Sequence, residues 1–409
     1  MIIGIPKETA KGEKRIAVSV ETVRSFVKAG AKVIIEKDAG KESNISDKDL
    51  KDAGAEIKTA KEAFAADVVL KVQAPSEAEV SKMKANSKIC CMLDAFNNEA
   101  LLKKLASAKI ESYAMEFMPR ISRAQSMDVL SSQSNIAGYK AVLDGVALFP
   151  KAVPLFMTAA GTVPPAKFCI IGAGVAGLQA IATAKRLGGQ VSAFDVRLAA
   201  KEQVESLGAK FVMVEGAEDL ETKEGYAKEA SAEYKKKQAE ALAKTLEKTD
   251  IVITTALIPG RKAPIIITKD MVKNMKSGSI VVDLAAPAGG NTDGVVAGKV
   301  TEVNGVKLLG CQDINSSVSE TCSALYAKNL WNFLSPHFDA EKKDLVLNYE
   351  DETVSGTLIT KDGKIVNERL LTLKAPAKKA PAKKPAAKKT TTAAKKSPAT
   401  KKSTAKKGK

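Results

Sequence analysis

Short apolar runs alternate with amphipathic segments through the first third of the chain. Residues 1–5, 32–36, 66–72, 87–93 and 109–114 have the length and β-branched composition of buried strands. Between them, residues 19–29 carry Val20, Val23, Phe26 and Val27 on one side, and residues 47–53 and 98–106 also repeat at helical spacing. Alternation of this kind predicts a parallel sheet with helices on both faces. The pattern resumes further on. Residues 168–171, 190–194, 249–257 and 279–284 are near-continuous apolar runs, as strands covered on both faces must be. A long helix is expected from about Ser126, with Met127, Leu130, Ile136, Tyr139 and Val142 as its apolar contacts, and another at 325–333. The fold class is therefore α/β, with two doubly wound Rossmann-like domains joined by long helices.

One stretch adds chemistry to the pattern. After the strand at 168–171 the chain reads Gly172-Ala173-Gly174-Val175-Ala176-Gly177, enters a charge-free helix near Val175, and returns through a second strand that Asp195 closes. Strand, glycine turn, helix, strand and acid stand in the register of a dinucleotide-binding fingerprint. Gly172 permits the tight turn, Gly174 keeps side chain out of the way of a pyrophosphate, and Gly177 lets helix and strand pack closely. The helix N-terminus supplies N–H donors and partial positive charge. A carboxylate at Asp195 accepts ribose hydroxyls and repels a 2′-phosphate, which favours NAD(H) over NADP(H); Arg197 blurs that preference. The first set of strands has no such loop.

Charge changes the picture only at the end of the chain. The net charge is +17, but fourteen lysines and no acid lie between Lys374 and Lys409, leaving about +3 for everything before them. This Lys/Ala/Pro tail has no aromatic residue to stack on bases and too little apolar content to fold, so it is expected to be disordered, a solubilising extension ahead of attraction to anionic lipid or nonspecific nucleic-acid binding. Five cysteines without a CxxC pair suggest a reducing compartment and no disulfide framework. The single histidine, His337, excludes His-based metal clusters, so no metal is expected. Trp331 is expected in the core. The N-terminus lacks the basic and long apolar regions of a signal peptide, and the uncharged run at 168–184 falls short of the ~18–20 apolar residues of a membrane span.

Residues 116–142, EFMPRISRAQSMDVLSSQSNIAGYKAV, crowd Arg120, Arg123, Gln125, Asp128, Ser131 and Gln133 around the start of the long helix. By spacing alone this is a capped helix start with a solvated polar face. It is also what a polar collar for an amide-bearing ligand such as nicotinamide requires.

RISRAQSMDVLSSQSNIAGYKAV, MTAAGTVPPAKFCIIGAGVAGLQAIATAKRLG, AFDVR and the late EDETVSGTLITKDGKIV resemble the soluble NAD(H)-binding α component of proton-translocating NAD(P) transhydrogenases, over essentially the whole chain before the tail. The resemblance implies an alanine dehydrogenase/transhydrogenase N-terminal-type domain formed by residues 1–131 with 321–373, an NAD(H)-binding Rossmann domain at 132–320, and the tail at 374–409. It implies nicotinamide-side contacts from Arg120, Ile121, Ser122, Arg123, Gln125, Ser126, Met127 and Asp128, with Arg120, Gln125, Asp128 and Ser131 serving the transfer step. Val175, Ala176, Gly177, Asp195, Val196 and Arg197 match its pyrophosphate and ribose contacts; Gln238 and Leu257 match further ones. Gly225 and Tyr226 fall in what the family uses as a mobile lid, within the charge-rich stretch 215–237. The implied activity is hydride transfer between NAD(H) held here and NADP(H) on a partner subunit, Re/Si-specific and coupled by membrane-embedded subunits to proton translocation. The implied assembly is a homodimer, peripheral on the cytoplasmic side of a bacterial inner membrane. Residues 307–323 depart from the family pattern, where relatives carry a Pro-Ser step.

Two alternatives compete. The related alanine dehydrogenases share the two-domain plan and the opening IPKE, and Arg15 and Lys71 would then hold a 2-oxo acid; their catalytic histidine, however, falls in the stretch 90–94, where this chain has Asp94. An NADH sensor whose basic tail grips nucleic acid is the other.

Overall fold

The computed structural model describes residues 1–214, 231–257, 260–339, 341–342 and 344–374. The expected tail and the Gly225–Tyr226 segment lie outside the described residues.

The chain first lays down β1 (Ile2–Ile5), β2 (Lys32–Glu36), β3 (Glu56–Lys58), β4 (Val68–Leu70), β5 (Lys88–Cys91) and β6 (Glu111–Ala114), all paired in parallel. A small exposed hairpin follows, β7 (Phe156–Thr158) with β8 (Gly161–Val163). Then come β9 (Lys167–Ile171), β10 (Gln190–Phe194), β11 (Lys210–Phe211), β12 (Ile251–Thr254), β13 (Ile280–Asp283), β14 (Val300–Val303) and β15 (Val306–Gly310). The short pair β16 (Phe338–Asp339) and β17 (Asp344–Leu345) precedes β18 (Leu358–Lys361) and β19 (Lys364–Ile365), which return to the first sheet.

Among the described residues the first sheet runs β19-β18-β6-β5-β4-β1-β2-β3 and the second β11-β10-β9-β12-β13-β15-β14. Leaving aside the antiparallel additions (β18, β19 and β14), both show the same winding: the chain moves outward from a first strand, returns, and continues on that strand's other side. Each sheet carries separate apolar clusters on its two faces. The first has Ile3, Ile5, Phe26 and Phe333 on one side and Ile89, Leu102 and Ile359 on the other. The second has Ile170, Ala180 and Ile253 against Ile171, Leu242 and Val281. Two doubly wound, parallel-dominated sheets are thus present, as the apolar runs predict. Their strands' C-terminal ends form the lips on which such sheets take ligands.

Long helices join the sheets, but with different bounds and contacts from those predicted. The helix expected from Ser126 starts at Val129 and runs to Leu148, after a separate 3₁₀ segment, Ser122–Met127. Met127 and Val142 are buried, but Leu130 and Tyr139, expected as apolar contacts, are 40% and 38% exposed. The buried stripe is instead Gln133, Ala137, Gly138, Ala141, Val142 and Gly145. Small residues win because this helix lies hard against helix Val175–Arg186: a Cβ on Gly138 would stand 2.0 Å from the Ala176 carbonyl oxygen. Val27, also expected inside, is exposed at the rim of helix Val20–Lys28. The helix placed at 325–333 spans Ser319–Leu334, and the first half of the late stretch EDETVSGTLITKDGKIV is helix Glu352–Thr357. Strands β3, β11, β14 and β15 carry charge or are too short to register as apolar runs.

Trp331 packs edge-on to Phe26 at 5.0 Å between ring centroids. His337 is buried in the 3₁₀ turn that follows helix Ser319–Leu334, beside Phe333. Among the described residues no helix is long and apolar enough to cross a membrane.

Candidate functional site

The second sheet reverses its winding between β9 and β12, and the glycine turn sits there. The three glycines have three different physical reasons. Gly172 has φ +94 and its Cβ would meet Thr255 Oγ1 at 2.5 Å, so backbone and packing both demand glycine. Gly177 would place a Cβ 1.8 Å from the Gly172 carbonyl oxygen. At Gly174 neither reason holds: its backbone is ordinary extended chain (φ −78, ψ −166), and a Cβ there would meet nothing within 4 Å. The open space lies at the N-terminus of helix Val175–Arg186, which no side chain caps. Unpaired N–H donors facing such a space are a cradle for an anion, and the residues present fit a dinucleotide pyrophosphate.

The turn is held from beneath. Thr255 Oγ1 donates to the carbonyls of Ile171 (3.2 Å) and Gly172 (3.1 Å). Asn291 grips the strand-end loop beyond it, accepting from Ala256 N at 3.0 Å and donating back to Ala256 O at 2.8 Å. Asp283, fully buried at the end of β13, accepts the N–H groups of Ala285, Asn291 and Thr292. Burial raises its carboxyl above the usual range despite those donors. Asp283 had a sequence signal, an acid closing an apolar run; Asn291 and Thr255 had none.

Asp195 stands beside the turn with both oxygens engaged. Oδ2 accepts from Ala173 N at 2.7 Å and from the Arg197 guanidinium at 3.1 Å; Oδ1 accepts from Arg197 N at 2.8 Å and Nε at 3.0 Å. A ribose diol reaches this carboxylate only by sharing it with Arg197 or displacing that side chain. Asp195, Val196 and Leu198 line a small notch with Phe211, Val212 and Val214. Gln238, on helix Ala232–Leu246, is buried, and its Nε2 has no hydrogen-bond partner among the described residues. An orphaned donor of this kind fits a ligand that brings an acceptor. Leu257 lies exposed on the lip after β12. The last stretch of the expected lid, from Ala232, belongs to this same helix, whose first turn buries Tyr234.

The Arg120–Asp128 segment is built on the first sheet's side. Met127 and Ala124 are in that sheet's core, so the side chain of Met127 points inward. Asn329 and Asn332 both donate to the Ser126 carbonyl, at 2.8 and 3.0 Å. Asp128 caps helix Val129–Leu148, accepting from Ser131 N at 3.0 Å and from Ser131 Oγ at 2.5 Å. Arg123 makes a two-pronged pair with Asp351, each arm 2.8 Å, and this holds the Asp351 carboxyl well below the usual range. That commits Arg123 to the late DETVSG segment rather than to open space. Arg120, Ser122, Gln125 and Ser126 are exposed, with Ile121 half-buried. The two halves of the site meet through one helix. Its N-terminus presents Asp128 and Ser131, and Gly138, roughly 10 Å along the axis from Ser131, touches the fingerprint helix.

The first sheet's own reversal point, between β1 and β4, is occupied by its own ion pairs. Lys71, 1% exposed, pairs with Glu8 at 3.1 Å and Glu79 at 3.6 Å. Arg15 pairs with Glu13 at 2.5 Å and donates to Gln133 Oε1 at 2.8 Å. Burial acts to raise the Glu13 carboxyl, but hydrogen bonds and charge from Arg15, with a further bond from Gln73, hold it down at about 2. A separate cavity of about 450 Å³ opens at the far, N-terminal end of this sheet, by Asp67, Lys84 and Lys88.

Comparison with known proteins places this architecture. Residues 4–137 match the family "Alanine dehydrogenase/PNT, N-terminal domain" and residues 141–368 "Alanine dehydrogenase/PNT, C-terminal domain". An NAD(P) transhydrogenase subunit alpha chain of Rhodospirillum rubrum is 54% identical over 379 residues, covering 90% of this chain and 99% of that one. A crystal structure of transhydrogenase from Sinorhizobium meliloti superposes with a TM-score of 0.83 at 49% identity, covering 90% of this chain and all of the other. An L-alanine dehydrogenase structure superposes with a TM-score of 0.74 at 25% identity, over 91% of this chain and 99% of the other.

Proposed function

This chain belongs to the alanine dehydrogenase/PNT family, among the NAD(P) transhydrogenase alpha subunits, and from that premise we propose that it holds NAD(H) and passes hydride directly to or from NADP(H) bound by a partner subunit. The observation that carries the proposal is the space before Gly174, kept clear for no reason of the protein's own at an uncapped helix N-terminus.

In this reading the nucleotide-binding unit is residues 132–320, packed on a unit formed by 1–131 with 321–373. The N–H groups of Val175, Ala176 and Gly177 receive the pyrophosphate. Asp195, with Val196 and Arg197, receives the ribose, and Gln238 and Leu257 complete the lip. Arg120 and Gln125 orient the carboxamide, while Ile121, Ser122, Arg123, Ser126 and Met127 shape the segment. The Asp128–Ser131 pair, with each group already satisfying the other, is a rigid support behind them. The bound nicotinamide supplies the hydride chemistry itself. The chain's residues supply position, because direct transfer needs the reacting atoms within ~3–3.5 Å. No side chain has to move a proton, which suits a protein with one histidine buried in a turn. Transfer is Re/Si-specific, the chain acts as a homodimer on the cytoplasmic face of a bacterial inner membrane, and membrane-embedded subunits couple the reaction to proton translocation.

Reduction of a 2-oxo acid, the alanine dehydrogenase chemistry, is not supported. Arg15 and Lys71, the cations that would hold such a substrate, are saturated by Glu13, Glu8 and Glu79, and Asp94 is exposed where that chemistry needs an acid–base histidine. The test is to mix the purified chain with an NADP(H)-binding partner, NADH and an NADP⁺ analogue. Reduction of the analogue is expected, with no NADH oxidation by pyruvate and ammonium. Brisk turnover with pyruvate, or an inert mixture whose components both bind nucleotide, overturns the proposal.

A further inference from the structure

We propose that Phe96 is a positioning residue: its ring is the stop on which Gly260 rests, and it sets how closely the second sheet's lip approaches the first sheet's side. The proposal builds on the nucleotide reading above. Gly260, in the loop after β12, has φ +67, and a Cβ placed on it would stand 2.8 Å from Cδ2 and 2.9 Å from Cγ of Phe96. Phe96 belongs to the other side, in the loop after β5. The contact therefore spans the cleft, next to the strand end that carries Leu257.

The ring is presented by a rigid mount. The Glu116 carboxylate accepts the N–H groups of Leu93 (3.1 Å) and Ala95 (3.2 Å), and Asn98 Nδ2 donates to the Leu93 carbonyl at 2.8 Å. Asn97 Nδ2 closes the turn onto Asp94 Oδ1 at 2.8 Å. Phe96 lies on Phe117, with ring centroids 4.9 Å apart, and the Arg369 guanidinium covers Phe117 at 5.6 Å. Phe117 leads directly through Met118 and Pro119 into Arg120. Phe96 thus meets the lip of the second sheet while it rests on Phe117, which precedes the Arg120–Asp128 segment in the chain. Side chains in close contact do not compress, so the ring limits how closely the walls approach. Misplacement by about 1 Å at a transfer site costs on the order of a hundredfold in rate.

A double-mutant cycle in the full chain, assembled with its NADP(H)-binding partner, tests the assignment. Phe96→Ala, Gly260→Ala and the double variant are compared for hydride-transfer rate and for NADH affinity by fluorescence. With Phe96 in place, the methyl added at 260 meets the ring, and transfer is expected to fall at least about tenfold. In the Phe96→Ala background the contacts with Cδ2 and Cγ are gone, while the 3.0 Å approach to the residue-96 Cβ and the strain of a side chain at φ +67 remain, so the cost is expected to shrink by at least about threefold without vanishing, a coupling that independent sites do not show. Additive effects overturn the proposal. Should Gly260→Ala fail to fold, the series Phe96→Ala, Phe96→Leu and Phe96→Trp replaces it. The proposal expects slower transfer on both sides of the native size, with NADH affinity held within about threefold; a rate indifferent to size overturns it. If the unsubstituted chain transfers no hydride, the nucleotide reading fails first; if it does and the cycle is additive, only the role of Phe96 falls.

Discussion

Gly174 separates binding from folding cleanly. Because a Cβ there meets nothing, Gly174→Ala is expected to leave thermal stability within about 0.5 kcal/mol of the parent while weakening NADH binding by at least about tenfold. Gly177→Ala, which drives a methyl into the Gly172 carbonyl, is expected to lose stability and binding together. Calorimetry and fluorescence titration of the two variants check both halves. Titration offers a second residue-scale check. The Glu13 carboxyl is depressed in the fold, so the stability it contributes is complete above its ordinary value of about 4.5 and is lost as pH falls through about 2. The stability difference between the parent and Glu13→Gln, from denaturant unfolding, should therefore shrink across that window. A difference that stays constant or grows on acidification contradicts the pairing with Arg15. Burial lowers His337 as well, and the sole imidazole resonance should titrate below about 6.5.

At the scale of elements, the helix Val129–Leu148 connects the two halves of the candidate site, because Asp128 and Ser131 pair at one end and Gly138 presses on the fingerprint helix. Gly138→Ala would normally favour a helix, but here the methyl has no room against Ala176. A net loss of roughly 1–3 kcal/mol is expected, with weaker NADH binding; stabilisation would contradict the contact. The same helix shows where the sequence was legible and where it was not. Apolar runs announced the strands that bury both faces, β1, β2, β9, β10, β12 and β13, since such strands need nothing but apolar side chains. The glycine turn and Asp195 were legible because their spacing follows from chemistry. Leu130 and Tyr139 misled, because an apolar stripe marks a packing face only when the neighbour stands at ordinary distance. Here close approach selects Gly138, Ala137 and Ala141, which carry little hydropathy. Nothing local in the chain announced Asn291, Thr255 or the Arg123–Asp351 pair either, since their partners are brought together only by the tertiary fold.

For the whole molecule, the family match ends at residue 368 and the Rhodospirillum relative is covered almost completely without the lysine-rich end. Truncation after Leu373 is accordingly expected to leave NADH affinity and hydride transfer unchanged within about twofold, whereas a nucleic-acid-dependent sensor would lose its function with the tail. Both sheets have a reversal point where ligand could sit. In the first it is filled by Lys71, Glu8 and Glu79; in the second it is left open before Gly174. In the function proposed above, the open point takes the nucleotide and the acceptor comes with another chain. The most direct measurement is isotopic: NADH carrying deuterium at both nicotinamide C4 positions is supplied to the full chain with its NADP(H)-binding partner, and the NADPH formed is analysed by mass spectrometry. Deuterium carried wholly into the product, with none released to water, is the predicted result; label appearing in solvent, or NADPH forming without it, would contradict direct transfer.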